Sequence, residues 1–193
     1  MQTVVAVVVL IVALGILGGW YVLSKRTRPV PDALKPGQTL PDFSAVDEQG
    51  NAVHSADLRG APSVILFVRG NWCPFCSSQV KHLTKHYKDI VDLGARLVLL
   101  TPKPLETTRR VAQFFDVDFD FWLDDSLAVA RQLDLVHEAG VPSGSRDEYG
   151  DDTMWPAALV MNAEGEIVFA SLSKFIVDRP DPKALLGAIR STL

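Results

Sequence analysis

Two cysteines, Cys73 and Cys76, are the only thiols in this 193-residue chain. They stand with two residues between them in the run Arg69-Gly70-Asn71-Trp72-Cys73-Pro74-Phe75-Cys76. A pair at this spacing can do what a lone thiol cannot. One thiolate attacks a disulfide, and its neighbour resolves the mixed disulfide. The chemistry needs a thiolate at ambient pH, so the surroundings of the first cysteine matter most. An apolar run, Ser63-Val64-Ile65-Leu66-Phe67-Val68, leads in. It is too short for a helix and rich in branched residues, so it reads as a buried strand. A helical pattern follows. The cysteines therefore fall where a strand ends and a helix begins, and the helix start favours a negative charge on Cys73. Cys76 lies one turn on, within reach to close a disulfide. Pro74 suits the first turn, where its missing N–H costs nothing. Trp72 would shield one side of the pair, and Arg69 is a cation placed to lower the Cys73 pKa further.

Two other uses of the pair are weaker. A structural disulfide across so small a loop would constrain the unfolded chain little. A zinc site would recruit His82 and His86, but zinc needs four ligands converging on one point. On a single helix over residues 73–91 these histidines would lie about 13 and 19 Å along the axis from Cys73. Neither would reach, and both read as a solvated or flanking face. The expectation is no metal and no cofactor.

The elements around the pair follow from local pattern. Residues 4–23 carry no charge and would span about 30 Å as a helix, the thickness of a bilayer core. Trp20 and Tyr21 stand at belt positions, and Lys25, Arg26 and Arg28 follow. A cleaved signal peptide would have a basic start, a shorter apolar run and a small-residue cleavage site. The expectation is a single-pass anchor in the cell membrane. The basic cluster after the span puts the domain in the cytoplasm by the positive-inside rule; the extracytoplasmic side is the alternative. Residues 24–41, with Pro29, Pro31, Pro36, Gly37 and Pro41, read as a linker. Residues 42–193 form one domain by size. The net charge of −4 and the lack of a basic patch exclude a nucleic-acid partner.

Within the domain, residues 42–53 read as a hairpin turning at Asp47-Glu48-Gln49-Gly50-Asn51. After Cys76, the residues Val80, Leu83, Tyr87, Ile90 and Val91 form one buried stripe of a helix that stops at Gly94. Residues 96–100 are a strand parallel to the first, a right-handed crossover. A helix is expected over residues 104–115, a strand over 119–123 and a short helix over 126–133, capped by Asp125 or Ser126. Residues 137–153 read as an irregular loop of a length often tied to function. A hairpin over residues 156–170 and a last helix from Pro182, capped by Asp181, complete the chain.

These residues resemble the thioredoxin-like superfamily, and within it the peroxiredoxin-like branch of the alkyl hydroperoxide reductase and thiol-specific antioxidant (redoxin) family. The resemblance rests on the Arg69-Gly70-x-Trp72-Cys73-Pro74-Phe75-Cys76 block and on the Pro156-Ala157 hairpin that ends at Gly165. Leu100-Thr101-Pro102 and Arg179-Pro180-Asp181-Pro182 support it. It implies an α/β fold, a central mixed sheet with helices on both faces. It also implies a cis peptide at Trp155-Pro156 facing the cysteines, with Trp155 and Pro156 lining a substrate groove. The chain departs from both parent patterns. Leu66 and Gly70 stand where peroxiredoxins carry the Pro and Thr of their peroxide-binding loop. Phe67 stands where thioredoxins carry a buried Asp.

Three functions follow. The first is a membrane-anchored thiol-disulfide oxidoreductase, Cys73 attacking and Cys76 resolving, whose partner is a protein or small-molecule disulfide or dithiol. The second is a thiol-dependent peroxidase, with Cys73 oxidised by a hydroperoxide to a sulfenic acid. The third is a non-enzymatic tether presenting a redox domain to a membrane complex.

Overall fold

The computed structural model describes residues 2–24, 27–103, 117, 119–175 and 177–193. In chain order its elements are helix α1 (Gln2–Ser24), strands β1 (Thr27–Arg28), β2 (Ser44–Val46), β3 (Ala52–His54) and β4 (Ser63–Phe67), helices α2 (Pro74–Thr84) and α3 (Tyr87–Asp92), and strands β5 (Arg96–Thr101) and β6 (Asp120–Leu123). Helix α4 (Ala128–Gln132), strand β7 (Val136–His137), helix α5 (Arg146–Tyr149), strands β8 (Thr153–Met154), β9 (Ala157–Met161) and β10 (Ile167–Ser173), and helix α6 (Pro182–Arg190) follow.

Strand β4 is the spine. All five of its residues are buried, as a strand covered on both faces requires. It runs parallel to β5 and antiparallel to β9, and β5 runs parallel to β6. Among the described residues the sheet has eight strands in the order β1-β10-β9-β4-β5-β6-β2-β3. This is the mixed sheet expected. Alternation along β4 divides the core in two. Ile65 and Phe67 enter a cluster with Leu34, Trp122, Leu135 and Met154 on one face. Val64, Leu66 and Val68 enter a second cluster with both cysteines and with Val80, Leu83, Ile90, Leu185 and Ile189 of the helices. The dithiol is thus part of one packed layer between sheet and helices.

The hairpins form as their sequences indicate. Asp47 Oδ1 accepts from Gln49 N and Asn51 N, which closes the β2–β3 turn. Asp181 caps α6 by accepting from Lys183 N, and Leu185, Leu186 and Ile189 are buried. Several local details differ from expectation. The helix after the cysteines is two helices. Thr84 Oγ1 donates back to Lys81 O at 2.7 Å, competing with the backbone ladder, and the chain breaks before Tyr87. After the break Val91 is 46% exposed while Ile90 stays buried. The short helix α4 is capped by Asp124, not Asp125 or Ser126. Leu127 takes a left-handed conformation (φ 57°), and this extra turn brings the Asp124 carboxylate to Val129 N and Ala130 N at 3.1 and 2.9 Å. The helix expected over residues 104–115 lies outside the described residues.

The proline-rich stretch read as a linker docks on the domain. Thr27 and Arg28 pair with Ser173 and Leu172 of β10. Gly37 N donates to Ile167 O, Leu40 N donates to Gly165 O, and Leu34 and Leu40 are buried. The buried side chains of Leu34 and Leu40 outweigh the breakers around them. Helix α1 contains an apolar window, Val5–Val22, long enough to cross a membrane, and none of that window is buried.

Candidate active site

Strand β4 ends at Phe67, but Val68 N still donates to Leu100 O at 2.9 Å. The chain then turns at Gly70, whose φ of +142° is one that L side chains rarely adopt. A Cβ there would stand 2.8 Å from both Trp72 Nε1 and Tyr149 Cε1. Cys73 follows as the N-cap of α2, with Pro74 in the first turn. Both cysteines are 1% exposed and carry free thiols.

Their surroundings make them unequal. The hydrogen bond donated by the Cys76 S–H holds the Cys73 pKa down at about 6, against an ordinary 9.0. The Cys76 backbone N–H and the charges of Arg179 and Arg69 act the same way, and burial opposes them. Cys76 moves the other way. Its proton is held in the bond to Cys73, and burial and the Cys73 charge push its pKa up. Cys73 is the thiolate near neutrality and Cys76 its proton-bearing neighbour.

Two arginines approach the pair, one from the block that holds it and one from near the C-terminus. Arg179 stands just before α6. Its Nη1 donates to Ser173 Oγ at 2.9 Å and Asp178 O at 2.7 Å, and its Nη2 lies 3.6 Å from Cys76 Sγ. Sequence reading placed Arg179 only in the run before the last helix and gave it no role. Arg69 is 3% exposed. Its backbone N lies 3.5 Å from Cys76 Sγ, and its guanidinium stands 4.5 Å from the centre of the Trp72 ring. Its Nη2 donates to Gly140 O at 2.5 Å and lies 3.4 Å from His137 Nδ1. The Arg69 carbonyl accepts from Thr153 Oγ1 at 2.8 Å. Arg69 and Trp72 both stand beside the pair.

The long loop is ordered over this site. Strands β7 and β8 pair at its base. Tyr149 Oη donates to Asn71 Oδ1 at 2.6 Å and accepts from Asn71 N at 3.3 Å. The Tyr149 ring meets the Trp72 ring edge-on at 6.3 Å. Tyr149 was not singled out by sequence; the loop's length was the one available signal.

Trp155 and Pro156 depart from what the resemblance implies. The bond between them is trans, as no described peptide is cis. Trp155 N donates to Leu135 O at 2.7 Å and Pro156 O accepts from Ser173 N at 2.9 Å, so an extended trans chain satisfies both. The Trp155 indole packs on the cluster across the sheet from the cysteines. It stacks on His137 at 3.8 Å and 16°, and the Arg28 guanidinium lies 3.6 Å from its ring centre. It lines a cleft of about 510 Å³ with Arg28, Val30, Pro31, Val136 and Leu172. Phe67 also faces that cluster, so its position does not correspond to a group near Cys76. His82 is exposed, and His86 Nδ1 lies 3.4 Å from Asp89 Oδ2 on the separate helix α3.

The chain is similar to known proteins in sequence and in fold. The AhpC/TSA family profile matches residues 36–170. The chain is 26% identical over 107 residues to the chloroplastic peroxiredoxin Q of Sedum lineare, covering 55% of this chain and 54% of that one. It is 24% identical over 135 residues to the thiol-disulfide oxidoreductase ResA of Halalkalibacterium halodurans, covering 69% and 66%. The chain thus spans between half and two thirds of these curated relatives. The crystal structure of peroxidoxin BcpB from Mycobacterium tuberculosis superposes with a TM-score of 0.65 at 20% identity, covering 82% of this chain and 97% of that one. A putative thiol:disulfide interchange protein DsbE from Chlorobium tepidum gives 0.57 at 18%, covering 82% and 98%. The fold is thioredoxin-like.

Proposed function

This chain belongs to the AhpC/TSA family, and from that premise we propose that it is a membrane-anchored thiol-disulfide oxidoreductase. The observation that carries the reading is the inequality of the two thiols: Cys73 is pulled down to about 6 at the start of α2, while Cys76 is pushed up behind it. The Cys73 thiolate attacks one sulfur of a partner disulfide. A mixed disulfide forms, and the partner's other sulfur leaves as a thiolate. Cys76 then attacks Cys73 Sγ, giving up its proton to the departing thiolates. The partner gains two electrons and the one proton of Cys76, its second thiolate taking a proton from solvent, and Cys73 and Cys76 close a disulfide. Run in reverse, the same steps oxidise a partner dithiol.

Gly70 supports this reading over peroxide reduction. The hydroxyl that peroxiredoxins place at this position has no room, because Tyr149 and Trp72 fill it. One observation favours the peroxidase as a second reading. Arg69 Nε and Trp72 Nε1 are buried donors without a hydrogen-bond partner among the described atoms, and they flank the block that holds Cys73. Each would offer an N–H to a hydroperoxide oxygen that reached it.

Stopped-flow tryptophan fluorescence on the reduced protein separates the two. A small disulfide gives a fast change that Cys73→Ser abolishes, and hydrogen peroxide reacts no faster than with a free thiolate. The reverse order of rates would establish the peroxidase. A Cys73→Ser chain that retains full cellular function would leave only the tether. Helix α1 serves as the anchor, and Arg28 with its preceding basic residues supports a cytoplasmic domain. A membrane-impermeant maleimide would then leave Cys73 unlabelled in intact cells; labelling would put the domain outside.

A further inference from the structure

The strand that leaves the anchor is linked to the dithiol site by a series of side-chain contacts. Helix α1 ends at Ser24, and only two residues later Thr27 and Arg28 are paired to Ser173 and Leu172. Arg28 does two things there. Its backbone covers the edge of β10, next to the Ser173 hydroxyl that holds Arg179 against Cys76. Its guanidinium lies 3.6 Å from the centre of the Trp155 ring. Trp155 is stacked in turn on His137, and His137 Nδ1 lies 3.4 Å from Arg69 Nη2. Arg69 is the buried cation whose backbone N also meets Cys76 Sγ.

We infer that Arg28 is a positioning residue for the Cys73–Cys76 pair, acting through the stack Arg28–Trp155–His137–Arg69. The reason is packing. A planar guanidinium over an indole fixes the ring's tilt in a way that an ammonium does not. The ring's tilt fixes the imidazole stacked on it. The imidazole and Gly140 O together hold one end of Arg69. His137 must be neutral for Nδ1 to accept from Arg69. The charged groups that bear on it are Arg69, Arg28 and Asp152, and its pKa is lowered by burial and by the two arginines. The membrane segment thus ends in a piece of the site rather than in a free tether.

The inference rests on the dithiol reading, and the test keeps the two apart. The full-length chain is reduced in detergent micelles. The alkylation rate of Cys73 is then followed against pH in the native chain, in Arg28→Ala, in Trp155→Ala and in the double variant. The native titration tests the dithiol reading: a Cys73 midpoint at the ordinary thiol value would sink that reading. Arg28→Ala tests this one. Its midpoint moves upward by about half a unit, so alkylation at pH 6 slows roughly twofold. Arg28→Lys behaves like Arg28→Ala, because it keeps the charge and loses the stack. In the Trp155→Ala background Arg28→Ala makes no further difference, because the two side chains act in series. A merely structural Arg28 would lower the melting temperature and leave the midpoint alone. That outcome, or an effect that persists without Trp155, overturns the inference.

Discussion

Arg179 Nη2 stands 3.6 Å from Cys76 Sγ, so among the described residues the charge against this buried thiol is a cation. Thioredoxins resemble this chain in fold but place a carboxylate near that thiol. A carboxylate takes the proton; a guanidinium cannot, and only stabilises the thiolate once it has formed. On the proposed mechanism the proton on Cys76 leaves with the departing partner thiolate. Replacing Arg179 by Gln removes that stabilisation from the second step. The mixed disulfide to Cys73 then accumulates and resolves about tenfold more slowly, as read by quenching and mass spectrometry. Arg179→Lys falls between the two. Equal resolution rates in all three proteins would remove Arg179 from the mechanism.

The lowered Cys73 pKa sets the direction of the pH dependence. The thiolate fraction rises as pH rises through about 6, so alkylation of Cys73 grows about tenfold between pH 5 and pH 7 and then levels off. Cys76, pushed up, contributes nothing in that range. In Cys76→Ser the bond that lowers Cys73 weakens, and the plateau moves to higher pH. A profile still rising steeply at pH 8 in the native chain would contradict the geometry.

Gly70 cannot become the peroxiredoxin threonine. Its φ of +142° strains any side chain, and the new Cβ would stand 2.8 Å from Tyr149 and Trp72. Gly70→Thr destabilises the fold by about 1–3 kcal/mol and leaves the peroxide rate no higher. Thermal unfolding and stopped-flow oxidation check the two halves separately.

Tyr149 ties the long loop over the site through Asn71. Tyr149→Phe removes the bond and keeps the ring against Trp72. A net loss of about 1 kcal/mol is expected for one such bond. Amide exchange in residues 138–152 quickens, and Cys73 becomes roughly threefold more reactive to a bulky alkylating reagent. Unchanged exchange would mean that the β7–β8 pairing alone holds the loop.

The sequence by itself determined what short-range pattern can carry. The dithiol at a strand-to-helix junction depends on about twenty consecutive residues. So do the apolar helix α1, the β2–β3 and β9–β10 hairpins and the capped helix α6. Each is a periodicity, a turn signal or a cap, and each folds as read. Departures began where two local preferences competed. Thr84 broke the helix by bonding its own backbone, and Leu127 took a left-handed turn that handed the cap to Asp124. Apolar anchors at Leu34 and Leu40 drew a proline-rich stretch onto the sheet. The site itself was decided by tertiary structure. Arg179 reaches Cys76 across 103 residues, Tyr149 reaches Asn71 across 78, and His137 reaches Arg69 across 68. No window of sequence holds both members of such a pair, and neither member is unusual alone. The parity of β4 explains the rest: one residue's shift along a strand reverses the face. Phe67 therefore points away from the cysteines, while the cations that tune them arrive from loops beyond the sheet.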